Sequence, residues 1–304
     1  MVALKREEML SLAEKAVNFA LKKGAGEAEV FIYQGLTTSV NIERGQITRS
    51  SRIIDLGLGI RTIINKAIGF SYTNILKNEN AIEEAILKAL NSAKASKPDK
   101  DWYGLPTKKP FASVENTYDN NIVELLPEDL VNTASALLDA AEKTDKRVFP
   151  IEGGVGASYL RKAVANSNGV EGFDHGTIME CSLATIAQEG GEVTPVCFEF
   201  NAERSRKIDP EWVGREAARL AVSALKAKRI ETKITNVIFT QFALQQLFYY
   251  TLINAVKAEY VQRNQSAFKG KIGEKVASEI VTIHDDGLFK GGLRTWKFDG
   301  EGVP

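Results

Sequence analysis

The apolar residues of this chain change period twice before residue 100, and a similar succession begins again after residue 111. From Lys5 to Lys23, Met9, Leu12, Ala13, Ala16, Val17 and Ala20 recur at helical spacing, and Gly24 follows as a stop. From Ala28 to Tyr72 the period falls to two: AEVFIYQ, TTSVNIE, ITRSSR, DLGLGIRTII and AIGFSYT alternate or run β-branched. Turns are expected at Gly35, at Glu43 to Gly45 and at Asn65-Lys66, which makes this stretch an antiparallel meander. Ala81 to Ala95 returns to the helical period, with Ile82, Ala85, Ile86 and Ala89 on the face that would cover the meander. Residues 1–96 therefore read as an α+β domain.

Ser96 to Phe111 carries three of the eight prolines and has no period, so residues 97–112 read as a linker, with Trp102 and Tyr103 as possible anchors. Pro127-Glu-Asp-Leu then opens a helix with proline and acids in its first turn, and Leu130, Ala134, Leu137, Leu138 and Ala141 form its inner face. Val148–Gly153, Gly156–Ala165 and Gly176–Glu189 alternate as strands, with turns at Asn166-Ser-Asn-Gly169 and Glu189-Gly-Gly191. Asp209-Pro-Glu-Trp212 caps a helix reaching about Lys228, with Ala217, Leu220, Ala221 and Ala224 inward. Residues 113–232 thus read as a second helix-on-sheet domain.

The stretch from Thr240 is different. Leu244, Leu247, Phe248, Leu252 and Ala255 form one helical stripe, and Phe242, Tyr249, Ile253, Val256 and Tyr260 form another. A helix apolar on so many faces is expected to be wrapped by protein. Broken by Gln245, Gln246 and Asn254, it is shorter than the roughly 20 apolar residues of a membrane span. A glycine-punctuated loop, Ser266 to Ser278, leads to Asp285-Asp286-Gly287 and to Phe298-Asp-Gly-Glu-Gly-Val-Pro304.

Composition excludes several classes of function. Apolar content of 44% and charged content of 26% are those of a folded globular chain, and 39 basic residues balance 39 acidic ones. No overall field draws such a chain to nucleic acid or to an anionic membrane. The start has no long apolar core behind a basic patch, so a cytoplasmic location is expected. Cys181 and Cys197 lack any paired spacing and read as reduced thiols. His175 and His284 are the two histidines; their acidic neighbours would lie on the opposite side of a strand, which argues against metal sites there. Neither a G-x-S-x-G elbow nor a G-x-x-x-x-G-K-S/T phosphate loop occurs, and Lys269, Lys271 and Lys275 read as solvated turn lysines.

The ordered motifs S-x-F-x-G-K-x-G-E-x-V-A, D-D-G and F-D-x-E-G-x-P, beginning at Ser266, Asp285 and Phe298, resemble those of the TldD/PmbA family, also called modulators of DNA gyrase. Within them stand Ser266, Phe268, Gly270, Gly273, Glu274, Asp285, Asp286, Asp299 and Glu301. N-S-N-G at 166–169, the segment from Asp209 to Ala218 and the N-terminal meander add to the resemblance. It implies a cytosolic peptidase system in which a TldD-type subunit carries zinc on an H-E-x-x-x-H helix, while a PmbA-type (TldE) subunit pairs with it without metal. At the family's spacing the two histidines and the glutamate would fall at 249, 254 and 250, where this chain has Tyr249, Asn254 and Tyr250. Zinc takes imidazole, thiolate or carboxylate, and peptide hydrolysis needs a base beside the bound water, so the match is to the metal-free branch.

The resemblance therefore implies no cofactor on this chain, and zinc only on a partner. That partner is a TldD-type subunit, with self-association as the alternative; the substrate is an unfolded peptide, and neither nucleic acid nor membrane is expected. Two other readings stay open: an autonomous hydrolase with an unrecognised site, and a macromolecule-binding modulator related to gyrase. Family members continue well past F-D-x-E-G-x-P, so residues 233–304 are expected to be the start of a third, β-rich domain cut short, with apolar faces and strand edges unpaired.

Overall fold

The computed structural model describes residues 4–304, and their contacts divide them into two units. The first runs to Ala227 and also takes Gly287–Pro304; the second is Lys228–Asp286.

In the first unit α1 (Arg6–Lys22) buries the expected stripe of Met9, Ala13, Ala16, Val17 and Ala20. Strands β1 (Glu27–Glu43), β2 (Gln46–Ile64) and β3 (Ala67–Thr73) follow, then α2 (Glu79–Ala95). The β1–β2 turn is Arg44-Gly45 and the β2–β3 turn is Asn65-Lys66, all four at positive φ. Two-residue hairpin loops with both residues left-handed match the natural twist of the flanking strands. The expected turn at Gly35 does not form. Gly35 is paired on both sides, to Asp55 of β2 and to Leu160 of β4 (Val148–Asn166), and the Tyr33 ring lies over it. It is a glycine at a close approach within one long strand.

After the helices α3 (Asn120–Val123) and α4 (Pro127–Thr144), β4 runs unbroken through Gly153, Gly154 and Gly156, where two strands were expected. A register shift between Pro150 and Glu152 absorbs the irregularity. The strand β5 (Glu171–Glu189), the short β6 (Glu192–Val193) and β7 (Cys197–Glu203) precede α5 (Pro210–Ser223). The strand order is β3-β2-β1-β4-β5, with β6 and β7 both on β5, in a seven-stranded sheet. Because β1 pairs with β4, this one antiparallel sheet passes through both of the segments read from the sequence as separate domains.

Alternation along β1 puts Ala28, Val30 and Ile32 on the same face as Val40 and Ile42. The first three join a core with α1 and α2, the last two a core with α4 and α5. Helix α2 and strand β3 meet closely at Gly69, where a Cβ would collide with the Ala89 carbonyl and the Ala93 amide. Backbone atoms cannot rotate aside, so Gly69→Ala should cost about 1–3 kcal/mol through forced separation of α2 from the sheet. Urea denaturation checks this, and an unchanged midpoint would contradict the packing.

The linker has no helix or strand from Lys97 to Asp119. Trp102 anchors it as expected, its Nε1 donating to Glu27 Oε2 at 2.8 Å, whereas Tyr103 is almost wholly exposed.

The second unit contains α6 (Gln241–Tyr250), α7 (Leu252–Val256) and α8 (Ala258–Gln262), and no strand. The strands expected of a β-rich third domain are absent from these residues, and none of these helices has a buried residue. The wrapped core helix inferred from two apolar stripes is not seen among the described residues: a helix apolar on several faces needs a neighbour on each, and α6–α8 have none buried against them.

Candidate functional site

Three places carry the residues singled out by the sequence. The first is the α6–α8 run. Tyr249 and Tyr250 close α6, Thr251 interrupts the helix at φ −115° and ψ −66°, and Asn254 lies in α7. The Thr251 hydroxyl donates to the Leu247 carbonyl at 2.6 Å, competing for the acceptor of its own amide. The tyrosine rings meet edge to face at 5.1 Å, and both are more than half exposed. Tyr249, Tyr250 and Asn254 offer two phenols and a carboxamide, a set that does not fit zinc at neutral pH. Among the described residues, no group of three His, Cys, Asp or Glu could hold a metal.

The second place is the loop from Ser266. Ser266 Oγ donates to the Ala255 carbonyl at 2.5 Å and accepts the Phe268 amide at 3.0 Å, tying the loop back to α7. Gly270 and Gly273 have φ of +74° and +83°, conformations that favour glycine. The Glu274 amide donates to the Lys271 carbonyl at 3.1 Å. Ser266, Phe268, Gly270, Gly273 and Glu274 thus act together in shaping one turn. Asp285 and Asp286 are exposed at the end of this unit, just before the turn at Gly287-Leu288.

The third place is where Gly287–Pro304 packs as a strap on the sheet face opposite the helices. Phe298 is only 2% exposed, and its ring sits 4.7 Å from that of Phe111 in a small core with Val164 and Val170. Asp299 Oδ1 accepts the amides of Glu301 and Val303 at 2.8 and 2.9 Å, closing the F-D-x-E-G-x-P turn. Gly302, at φ +79°, lies where a Cβ would strike Val170. Glu301 takes Arg61 Nη2 at 2.7 Å, and the same nitrogen reaches Glu29 Oε1 at 2.8 Å.

Four charged side chains of the sheet face hold the strap. Besides Arg61, Lys162 Nζ donates to the Phe298 carbonyl and lies 4.4 Å from the Phe298 ring centroid. Asp174 Oδ2 accepts the Lys297 amide at 2.8 Å. Arg204 donates to the carbonyls of Leu293 and Thr295, each at 3.3 Å. Burial sets their protonation. Glu29 is pushed up to about 7, against the pull of Arg61 and with help from Glu301 and Asp299. Lys162 is pushed down to about 8 by burial, which Asp174 and Asp299 oppose.

Sequence reasoning missed Glu29, Arg61, Lys162, Asp174 and Arg204. All but Arg204 stand in strands at positions that alternate with the helix-facing apolar residues, a pattern that also describes a solvated sheet face. A faint signal was the number of charges inside strands otherwise rich in Ala and Val. His175 and Asp174 do point to opposite faces: Asp174 is under the strap, whereas His175 stacks on Tyr118 at 4.4 Å and meets Tyr159 Oη at 3.0 Å. Cys181 is buried and its thiol is pushed up to about 12 by burial; Cys197 is half-buried, and both are free. Among the described residues no helix is long and apolar enough to cross a membrane.

This α+β chain, with helices on one sheet face and a strap on the other, matches the models of a metallopeptidase family along most of its length. Domain 1 of the PmbA/TldA metallopeptidases matches residues 28–95, their central domain 120–225 and their C-terminal domain 232–304. The chain belongs to the PmbA/TldD metallopeptidase family. It is 29% identical over 290 residues to an uncharacterized protein of Methanocaldococcus jannaschii, covering 95% of this chain and 65% of that one. It is 27% identical over 303 residues to the metalloprotease PmbA of Escherichia coli O157:H7, covering 98% and 67%. The crystal structure of TldE from Thermococcus kodakarensis superposes with a TM-score of 0.86 at 27% identity, over 96% of this chain and 66% of that one. The chain thus spans about two thirds of the length of these relatives.

Proposed function

We propose that this chain serves as the metal-free subunit of a TldD/TldE-type peptidase, pairing with a zinc-bearing sibling in the breakdown of unfolded peptides. The observation that carries this reading is the donor set at 249, 250 and 254: Tyr249, Tyr250 and Asn254 supply neither a zinc ligand of the usual kind nor a base for the attacking water. Resemblance to TldE of Thermococcus kodakarensis over nearly the whole chain supports the same branch. The strap and loop motifs keep their turn-building residues, so loss of the metal residues is local to the helix. On this reading the chain binds no cofactor of its own and works in the cytoplasm. It contributes surface and peptide contacts to a joint chamber. The balance of 39 basic and 39 acidic residues gives a gyrase- or DNA-directed role no support.

Elemental analysis tests it. Protein purified without chelator should hold far less than one zinc per chain and should not cleave an unfolded peptide alone, but should restore chelator-sensitive cleavage when mixed with a sibling bearing H-E-x-x-x-H. Stoichiometric zinc on the isolated chain, or chelator-sensitive cleavage by it alone, would overturn the assignment.

A further inference from the structure

The helix-facing side of the sheet has a polar row between its two apolar cores. Gln34 of β1 pairs in register with Arg161 of β4, and Arg161 with His175 of β5, so the three side chains lie side by side on one face. Ala28, Val30 and Ile32 belong to the core on one side of this row, Val40 and Ile42 to the core on the other. The N-terminal end of α1 borders it, where Arg161 Nη1 donates to the Leu4 carbonyl at 2.6 Å. Tyr118, just before α3, stacks on His175, and Tyr159 lies 4.8 Å below the Arg161 guanidinium.

The row is under-satisfied in a way that native interiors avoid. Gln34 is 2% exposed, yet among the described residues neither its Oε1 nor its Nε2 has a partner, and Arg161 Nε is buried without one. Arg161 has no carboxylate partner among the described residues. Arg6 lies over the Phe173 ring, 5.9 Å from its centroid, and that ring is 5.9 Å from the His175 ring. Asp174, the nearest acid in sequence, points to the opposite face, where it holds the strap. Burial, helped by Lys297 and Arg161 and opposed by Asp174, holds His175 below its ordinary pKa, so the imidazole is neutral at pH 7.

The geometry points to a binding site for a small carboxylate at Gln34, Arg161 and His175, with Tyr159 and Tyr118 as its aromatic wall. A carboxylate offers the acceptors that Arg161 Nε and Gln34 Nε2 lack. The Arg161 guanidinium beside a neutral imidazole and an amide balances a monoanion, whereas a phosphate dianion would add charge that these three residues do not offset. The site is independent of the proposed subunit role, because it involves neither the α6–α8 helices nor the strap.

The chain has two histidines, which makes the test specific. Imidazole resonances of the full chain are followed by NMR while acetate replaces chloride at constant ionic strength. The His175 signals should shift saturably and its pKa should rise as the bound anion favours the imidazolium, while the exposed His284 stays put. Gln34→Leu should keep the fold by circular dichroism and abolish the saturable shift. Arg161→Gln should weaken it roughly tenfold or more, as expected for loss of a hydrogen bond to a charged group. The proposal is overturned if millimolar acetate moves both histidines alike or neither. It is also overturned if Gln34→Leu titrates as the unmodified chain does, since Gln34 would then be a buried amide satisfied by water alone.

Discussion

Phe298→Ala should free the 287–304 strap from the sheet while the sheet stays folded. The ring is almost fully buried between Phe111, Val164 and Val170, and the Lys162 ammonium lies over it. Truncating a buried phenylalanine costs about 3–5 kcal/mol, from lost apolar burial and the cavity left behind. The strap contributes no strand to the seven-stranded sheet, so that cost falls on its docking rather than on the cores under the helices. The undocked fraction should rise roughly a hundredfold or more, at about 1.4 kcal/mol per decade. Tryptic cleavage after Arg294 and Lys297 reads this directly, since cleavage follows the open population when reclosing is fast. Cleavage rates like those of the unmodified chain would mean that the polar holds of Arg61, Asp174 and Arg204 dock the strap without the ring.

A second large effect is expected from pH. Glu29 is raised from 4.5 to about 7 in the folded chain, mainly because the strap and the sheet remove its carboxyl from water. A carboxyl raised in this way binds its proton more tightly when folded. Its stabilising contribution is therefore fully present below 4.5 and is lost as pH rises through about 7, by up to about 3 kcal/mol. Lys162 acts in a separate window: lowered to about 8 from 10.5, it makes stability rise between those values. Glu29→Gln should remove the decline between pH 4.5 and 7, leaving Arg61 with Glu301 as its remaining carboxylate. Urea midpoints of both proteins across that range decide it. Parallel curves would show that Glu29 carries no such proton linkage.

Much of the first unit was legible because its signals are local. The helical stripes of α1, α2 and α4, the two left-handed turns at Arg44-Gly45 and Asn65-Lys66, the proline and acids that open α4 and the Asp209 cap of α5 all depend on residues within a few positions of one another. Gly35 and the glycines of β4 misled for a local reason too: glycine marks both turns and close approaches, and only the strands pairing on each side of it decide which. The family motifs were legible as an ordered set, but their physical work was not. Gly270 and Gly273 shape a turn, whereas Phe298, Asp299 and Glu301 build and anchor a strap whose other half comes from β1, β2, β4 and β5.

The sequence by itself determined the α+β class, most helices and strands, and the absence of zinc-type donors at 249, 250 and 254, because residue identity and short-range periodicity suffice for these. Only the tertiary structure decided that one sheet passes through both segments, that Glu29, Lys162 and Asp174 are buried, and that α6 buries nothing. Burial of a charge or of an apolar stripe depends on what lies across from it, and for Lys162 and Asp174 those neighbours stand more than a hundred residues away.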